Sequence, residues 1–203
     1  MEDLYLCGMA AAPYRAIHKR MLPLVRLMWD ATAHLQDRKR SRNEIRWTQW
    51  LGIAAECGHA DVVREMMRWS GDWDYDQALW NAAYNWHYET VKTLASAHDY
   101  SQKAIQEALG HVCDVNGEID FDIMCCDKTT DARHREMGQV IRWLVDAGAD
   151  PDNAKTVSNG WPVVACLNEY PEYAEALKAL LEKGATDVQF EERGDSHAVV
   201  REE

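Results

Sequence analysis

LGIAAECGHADVVREMM, residues 51–67, is the stretch that decides the fold of this chain. It holds two short helical patterns joined by a turn at Gly58. The apolar residues within 62–67 recur at the spacing of one α-helical face. Ahead of the turn, Ala54 and Ala55 are small enough for a neighbouring helix to approach closely, where larger side chains would overpack the contact. The stretch therefore predicts a helix–turn–helix unit.

A second stretch, VIRWLVDAGADPD at residues 140–152, shows how such a unit ends. Its apolar positions 141, 144 and 145 form another helical stripe. Gly148 follows that stripe and can adopt the left-handed conformation that terminates a helix. Pro151 then prevents the helix from resuming. We therefore expect a helix, a glycine turn and a short connection to follow one another in this order.

Together the two stretches resemble most of one ankyrin repeat. Residues 51–59 match the family's Leu-His-x-Ala-Ala-x-x-Gly-His, and residues 148–150 match the Gly-Ala-Asp turn after its second helix. The family's period is about 33 residues. The second-helix pattern starts five times, with separations of 38, 28, 50 and 36 residues, at Leu24, Val62, Thr90, Val140 and Ala176. Five degenerate units therefore fit the chain.

The resemblance implies an all-α fold, an ankyrin-repeat solenoid of helix–turn–helix units with short hairpin fingers. We predict a single domain over residues 1–190. Its units are predicted at residues 1–36, 45–74, 75–100, 101–152 and 156–190. Residues 191–203 are predicted to form a charged C-terminal tail that is frayed.

Two segments depart from the repeat pattern. Residues 112–133 lie between the two helices of the fourth unit, where Asn116-Gly117 favours a type I′ turn between alternating apolar residues. We therefore predict a β-hairpin insertion there. Residues 37–42 form a basic loop, which is either a solvated complement to the acidic body or a nuclear-localisation or phosphate-contact segment.

Charge is distributed unevenly along the chain, whose formal net charge is -12. Residues 1–50 hold 9 Lys and Arg against 5 Asp and Glu, whereas the other 153 residues hold 13 against 29. An acidic body repels a phosphate backbone, so nucleic acid is an unfavourable partner. A protein or peptide partner, including a basic one, is favoured, and a small-molecule ligand is the alternative.

The sequence predicts neither a membrane span nor a secretory signal. No stretch is long and apolar enough to predict a membrane span, and no secretory signal follows Met1. The six cysteines are scattered, which favours reduced thiols. We expect a cytoplasmic protein, or a nuclear one if the loop at residues 37–42 is a localisation signal.

Catalytic patterns are weak throughout the chain. No nucleophile elbow, phosphate loop or metal-binding helix motif is present. We therefore predict no catalytic residue and no cofactor. His59 and His87 follow the turns, and they resemble the family's structural histidine, which forms hydrogen bonds within or between units.

Metal binding is also disfavoured. An EF-hand interpretation of residues 112–123 fails because Val112 and Ile123 stand where carboxylate ligands are required. A zinc site could be drawn from a second set of residues, but its spacing is wrong for a zinc knuckle. That set is Cys113, Cys125, Cys126, His111 and His134.

Tryptophan is unusually frequent, with nine residues against two phenylalanines. Trp29, Trp69 and Trp143 fall on second helices and are predicted to pack between units. The resemblance places fingers and first helices along a concave groove where partners bind, so aromatic, amide and acidic side chains there are candidates for recognition. The predicted binding residues are Trp47, Ile53, Glu56, Cys57, Trp73, Asn81, Tyr84 and Asn85. The competing interpretation is that tryptophans fill gaps between degenerate repeats, chiefly at Trp50 and Trp80.

Two functions follow from these patterns. The first is a protein-binding ankyrin scaffold that uses an aromatic, acidic concave groove. The alternative is small-molecule binding or an atypical enzyme, with the 112–133 insertion as a lid over the groove. The polar groups available to that alternative are Glu56, Tyr84, Asn85, His87 and His111.

Overall fold

The structure is a computed structural model, and it describes residues 12–36, 49–114, 130–158, 160–186, 188–191 and 198–201. These residues are mostly helical, which confirms the all-α class. Trp47, the 37–42 loop and residues 115–129 of the predicted insertion lie outside the described residues. Within the described part, no helix is long and apolar enough to cross a bilayer.

Ten α-helices, one 3₁₀ helix and two short strands make up the described chain. Helix α1 covers residues 12–18. The other helices are α2 Leu22–Gln36, α3 Gln49–Glu56, α4 Ala60–Met66, α5 Tyr75–Tyr84, α6 Tyr88–Ala95, α7 Gln102–Val112, α8 Thr130–Asp146, α9 Val163–Asn168 and α10 Ala174–Glu182. The 3₁₀ helix is Pro171–Tyr173, and the strands are β1 Val188–Glu191 and β2 Ala198–Arg201.

Polar side chains cap the N-termini of α5 and α7. The Asp74 side chain accepts a hydrogen bond from the backbone N–H of Gln77 at 3.1 Å, at the start of α5. Ser101 accepts from the N–H of Ala104 at 3.1 Å, at the start of α7. Each bond satisfies one of the N–H groups that have no partner inside a helix, and each is worth about 1 kcal/mol.

Helices pack in two layers. Each of α3, α5, α7 and α9 contacts the helix that follows it, so α3 to α10 form four consecutive pairs. Within one layer α3 packs on α5 and α5 on α7; within the other α4 packs on α6, α6 on α8 and α8 on α10. We refer to α3, α5, α7 and α9 as first helices and to their partners as second helices. Each pair therefore contacts mainly the pairs next to it.

The core lies between these layers and is built on small residues in the first helices. Ala54, Ala55, Ala82 and Ala83 are fully buried, as the need for close helix approach predicts. Leucines fill the remaining space, and each buried leucine side chain contributes about 1.5–3 kcal/mol. The fully buried leucines include Leu51, Leu79, Leu94, Leu109, Leu144 and Leu180.

Two histidines each link a helix pair to the helix that precedes it in the stack. Nε2 of His59 lies 3.0 Å from the backbone oxygen of His18, and Nε2 of His87 lies 2.9 Å from that of Glu56. Because a carbonyl oxygen only accepts, Nε2 carries the proton in both rings. Burial is the main cause that lowers the pKa of His59, which favours the neutral ring. The structural role predicted for both histidines is confirmed.

The C-terminal tail differs from its prediction. Instead of fraying from Glu191 onwards, β1 pairs antiparallel with β2, with Val188 opposite Arg201 and Glu191 opposite Ala198. β1 also packs against α9. Both segments are rich in residues that favour strands, such as Phe190, Val199 and Val200, and this local preference outweighs the charge around them.

Candidate functional site

The candidate site lies on the side of the first helices that the core leaves uncovered. Along α5, buried Ala78-Leu79 and Ala82-Ala83 alternate with half-buried Trp80-Asn81 and Tyr84-Asn85. A similar alternation occurs in α7, where half-buried Gln106-Glu107 and His111 are separated by buried residues. It creates a continuous surface across three neighbouring helices, which we call the first-helix face. Its residues are Ile53, Glu56, Trp80, Asn81, Tyr84, Asn85, Glu107 and His111.

A network of side-chain amides joins α3 to α5 at the centre of this face. Nδ2 of Asn81 donates to the backbone oxygen of Gly52 at 3.1 Å. Asn81 in turn receives Gln77 Nε2 on its Oδ1 at 2.7 Å and Asn85 Nδ2 on its backbone oxygen at 2.9 Å. A Cβ at position 52 would lie 3.2 Å from Asn81 Nδ2, so glycine makes room for the amide.

Glu56 ends α3 at the seam between α3 and α5. Its side chain is exposed, while its backbone oxygen accepts the hydrogen bond from His87. Desolvation raises the pKa of the Glu56 carboxyl, and the nearby His18 opposes that rise. The Glu56 carboxyl is therefore partly desolvated by the surrounding protein, while its side chain stays accessible from solvent.

Trp80 and His111 join α5 to α7 on the same face. The Trp80 indole donates to the backbone oxygen of Ala104 at 3.2 Å, and its ring stacks on His111 with 5.6 Å between centroids. Burial lowers the pKa of His111, while Asp114 and Glu107 act in the opposite direction. The arrangement offers a flat aromatic surface with an imidazole at its edge.

Two of the predicted binding residues belong to the core, which corrects their assignment to the groove. Trp73 is 7% exposed and Cys57 is 6% exposed. The Trp73 ring stacks on Trp29 with 4.5 Å between centroids. A Cβ at Gly71 would lie 2.8 Å from the Trp29 ring, so the glycine lets the connection pass close enough for Trp73 to fold inward. Sequence alone shows no signal for that inward turn.

The remaining predicted residues are divided between the first-helix face and the undescribed part of the chain. Ile53, Glu56, Asn81, Tyr84 and Asn85 lie on the face, whereas Trp47 lies outside the described residues. Sequence reasoning missed Trp80 and Glu107 as members of the face. The spacing of Trp80 from Tyr84, one helical turn apart, is the signal that could have found it.

Tryptophans outside the face mostly build the core. Trp29 also contacts Trp50 and Trp69, with centroids 6.0 Å and 5.9 Å away. Trp29 and Trp69 are each 5% exposed, which confirms that they pack in the core. Trp50 is buried as well, and Trp143 is half-buried and packs against the core. The gap-filling interpretation therefore holds for Trp50, and Trp80 is half-buried and also packs against the core while it borders the first-helix face.

The groups named for metal or catalytic chemistry are only partly present on this face. His87 is buried and bonded to the Glu56 backbone, so it does not reach the surface. Cys113 is fully buried, and burial raises the pKa of its thiol. Cys125 and Cys126 lie outside the described residues. Among the residues that the structure describes, no group of three His, Cys, Asp or Glu side chains could hold a metal ion.

The chemistry of the first-helix face is that of a recognition surface. Aromatic rings, side-chain amides and a carboxylate bind ligands by stacking and hydrogen bonding, with no covalent step required. No protein-family model matches this sequence, and no curated protein sequence matches it either. The function is therefore argued from the geometry of the face itself.

Proposed function

We propose that this chain is an ankyrin-repeat scaffold that binds a segment of a partner protein along its first-helix face. In this proposal, the helix pairs are the repeat units and the first-helix face is the concave groove of the family. Two features support the repeat assignment. The histidine bonds recur 28 residues apart, at His59 and His87, and each layer of helices packs in chain order.

Tyr84 is the observation that carries the binding proposal. Within the described chain, the half-buried tyrosines Tyr75, Tyr88, Tyr100 and Tyr173 pack against the hydrophobic core, whereas Tyr84 and Tyr170 do not. Of these two, Tyr84 is the one on the first-helix face, which therefore carries a large aromatic side chain that does not contribute to the core. Tyrosine and tryptophan are the residues most often responsible for binding energy at protein interfaces.

A peptide-display selection against the whole chain tests this proposal. Peptides selected on the wild type are measured for affinity to Tyr84→Ala and to Tyr88→Ala by fluorescence titration. Loss of a central aromatic contact is expected to cost about 2 kcal/mol or more, so Tyr84→Ala should weaken binding at least about 30-fold. Tyr88→Ala should bind as the wild type does, because Tyr88 lies on the second helix α6.

The Tyr88 variant is a strict control. Since Tyr88 packs against the core and Tyr84 does not, any binding loss caused by lower stability should be larger in Tyr88→Ala. Circular dichroism verifies that both variants are folded at the temperature of the titration. Peptides that bind both variants as tightly as the wild type would overturn the proposed groove.

A further inference from the structure

The amide network allows only one orientation of its Asn81 side chain. The backbone oxygen of Gly52 can only accept, so the NH₂ group of Asn81 must point toward it. The Oδ1 atom of Asn81 then faces Gln77 and needs a donor, which the NH₂ group of Gln77 supplies. The Oε1 atom of Gln77 is consequently left on the far side of its amide, away from Asn81.

Asn85 is oriented by the same reasoning. Its NH₂ group donates to the backbone oxygen of Asn81, another group that can only accept. The Oδ1 atom of Asn85 is therefore turned away from the α5 backbone. Asn81 alone joins α5 to α3, whereas Gln77 and Asn85 donate to Asn81 itself. The donors of Gln77 and Asn85 are thus used inside the protein, and their Oε1 and Oδ1 atoms remain as acceptors on the first-helix face.

Glu56 adds a charged acceptor next to Asn85. The first helices α3 and α5 pack together, and Gly52 touches Asn81. Glu56 and Asn85 each follow these two residues by four positions, which is about one helical turn. Among the described residues, the Glu56 carboxylate has no hydrogen-bond or ion-pair partner, and the hydrogen bond from His87 to the Glu56 backbone holds the helix end in place.

His18 is the basic group that acts on the Glu56 carboxyl, and the lysines and arginines of residues 49–114 are located elsewhere. Within residues 49–114 the basic side chains are Arg64, Arg68, Lys92 and Lys103. Arg68 and Lys92 form ion pairs with Glu65 and Glu89 on the second-helix side, and Lys103 lies 3.5 Å from Glu107. The seam at Glu56 is thus an acceptor-rich, negatively charged point that those cations do not neutralise.

We propose that Glu56, Tyr84 and Asn85 form a site for the guanidinium group of an arginine side chain in the partner segment. A guanidinium carries five N–H donors, has no acceptor and stacks on aromatic rings, which matches a carboxylate and an amide oxygen beside a tyrosine. A lysine offers the charge without the planar donor array. This inference rests on the proposed function and specifies the residue that the groove recognises.

Three capped pentapeptides test the site on the full chain: Ala-Ala-X-Ala-Ala with X as arginine, lysine or citrulline. Binding is followed by NMR through the backbone amide signals and the side-chain NH₂ signals of Gln77, Asn81 and Asn85. The arginine peptide should bind most tightly and shift the Asn85 side-chain signal. Citrulline has a similar shape without the charge, and its peptide should bind at least about tenfold more weakly, since hydrogen bonds to charged groups are worth about that factor or more.

Two substitutions separate the contribution of the charge from that of the amide acceptor. Glu56→Gln should weaken the arginine peptide about tenfold, whereas Glu89→Gln on α6 should have no effect. Asn85→Ala removes the amide acceptor next to Glu56 and leaves the carboxylate and the bond from Asn81 to Gly52 in place. It should reduce the preference for arginine over lysine, which a general loss of stability would not change.

The outcomes separate this inference from the proposed function. If displayed peptides require Tyr84 but tolerate replacement of every arginine by citrulline, the arginine site is wrong and the groove remains. Equal binding of the arginine and citrulline pentapeptides, or an arginine affinity unchanged in Glu56→Gln, would also overturn the site. Binding of the arginine pentapeptide that depends on Glu56 supports it, even where no displayed peptide depends on Tyr84 and the groove proposal fails.

Discussion

At the scale of single residues, Trp86 shows how packing overrides local backbone preference. It occupies the turn position of Gly58 in the next helix pair, with φ of 58° against 70° for Gly58. A left-handed backbone costs a non-glycine residue about 1–2 kcal/mol. Trp86 is 1% exposed and donates its indole N–H to the backbone oxygen of Val112 at 3.1 Å. Burial of an aromatic side chain of about 200 Å² stabilises by about 5 kcal/mol, which outweighs the strain.

Gly58 is required both for its left-handed backbone and for the close approach of the His87 ring. A pair of alanine substitutions can separate the two effects. A Cβ at Gly58 would lie 2.6 Å from the His87 ring, whereas a Cβ at Gly160, with nearly the same φ of 71°, would meet nothing within 4 Å. Both Gly58→Ala and Gly160→Ala should lose about 1–2 kcal/mol through backbone strain. Gly58→Ala should lose about 1 kcal/mol more, because the displaced ring gives up its hydrogen bond to Glu56. Urea denaturation measures both free energies of unfolding.

The Gly160 variant serves as the control for strain alone. If both variants lose the same free energy of unfolding, the close approach of His87 to Gly58 has no energetic consequence. The histidine link between helix pairs would then contribute little to stability.

At the scale of elements, the connection between α8 and α9 packs closely against helix α7. An isolated antiparallel bridge joins Lys155 to Pro162, and we call the short connection closed by this bridge the finger. The backbone N–H of Ser158 donates to Asp114 at 2.8 Å, and the Ser158 hydroxyl also donates to that carboxylate. The finger can lie this close because α7 has no side chain at Gly110, where a Cβ would come within 2.3 Å of the Lys155 backbone oxygen.

Replacing two glycines within helices by alanine is therefore expected to change the free energy of unfolding in opposite directions. Gly110→Ala should lower the free energy of unfolding by about 1–3 kcal/mol, because the Lys155 backbone must move. Gly138→Ala on α8 should raise it by about 0.5–1 kcal/mol, since its Cβ would meet the Glu175 backbone oxygen at an ordinary 3.4 Å and alanine favours a helix. Chemical denaturation of both variants provides the measurement. A stabilised Gly110→Ala protein would contradict the close seating of the finger.

At the scale of the whole molecule, helix pairs couple mainly to their neighbours. The last helix α10 packs on α8 and α9, whereas α3 packs on α4 and α5. A structure of this kind gains its stability from local packing and from contacts between adjacent pairs. A destabilising substitution at one end should therefore have only a weak effect on the stability of the helices at the other end.

Hydrogen exchange measures this coupling with two equivalent substitutions. Leu51 on α3 and Leu180 on α10 are both fully buried, and alanine at either position should cost about 2–5 kcal/mol. Leu180→Ala should accelerate exchange mainly in α8 to α10, and Leu51→Ala mainly in α3 to α5. Equal acceleration along the described chain in both variants would show that the molecule unfolds as one cooperative unit.

Much of this architecture follows from short-range patterns in the sequence. The apolar stripe at residues 62–67 appears as α4, and the pattern at 140–145 lies within α8. His59 and His87 take the structural positions expected after their turns. Such features depend on residues within a turn or two of each other, so their spacing is enough to predict them.

Which side chains form the candidate site was decided by tertiary structure. The sequence by itself determined that the chain is mostly helical, where its helices break and which small residues let them approach. Only the packing of distant residues turned Trp73 inward onto Trp29, left Tyr84 outside the core and oriented Asn81 toward Gly52. The contacts of Trp73 and Asn81 join residues 44 and 29 positions apart. Their energies depend on burial and hydrogen-bond geometry that exist only after the helices have packed.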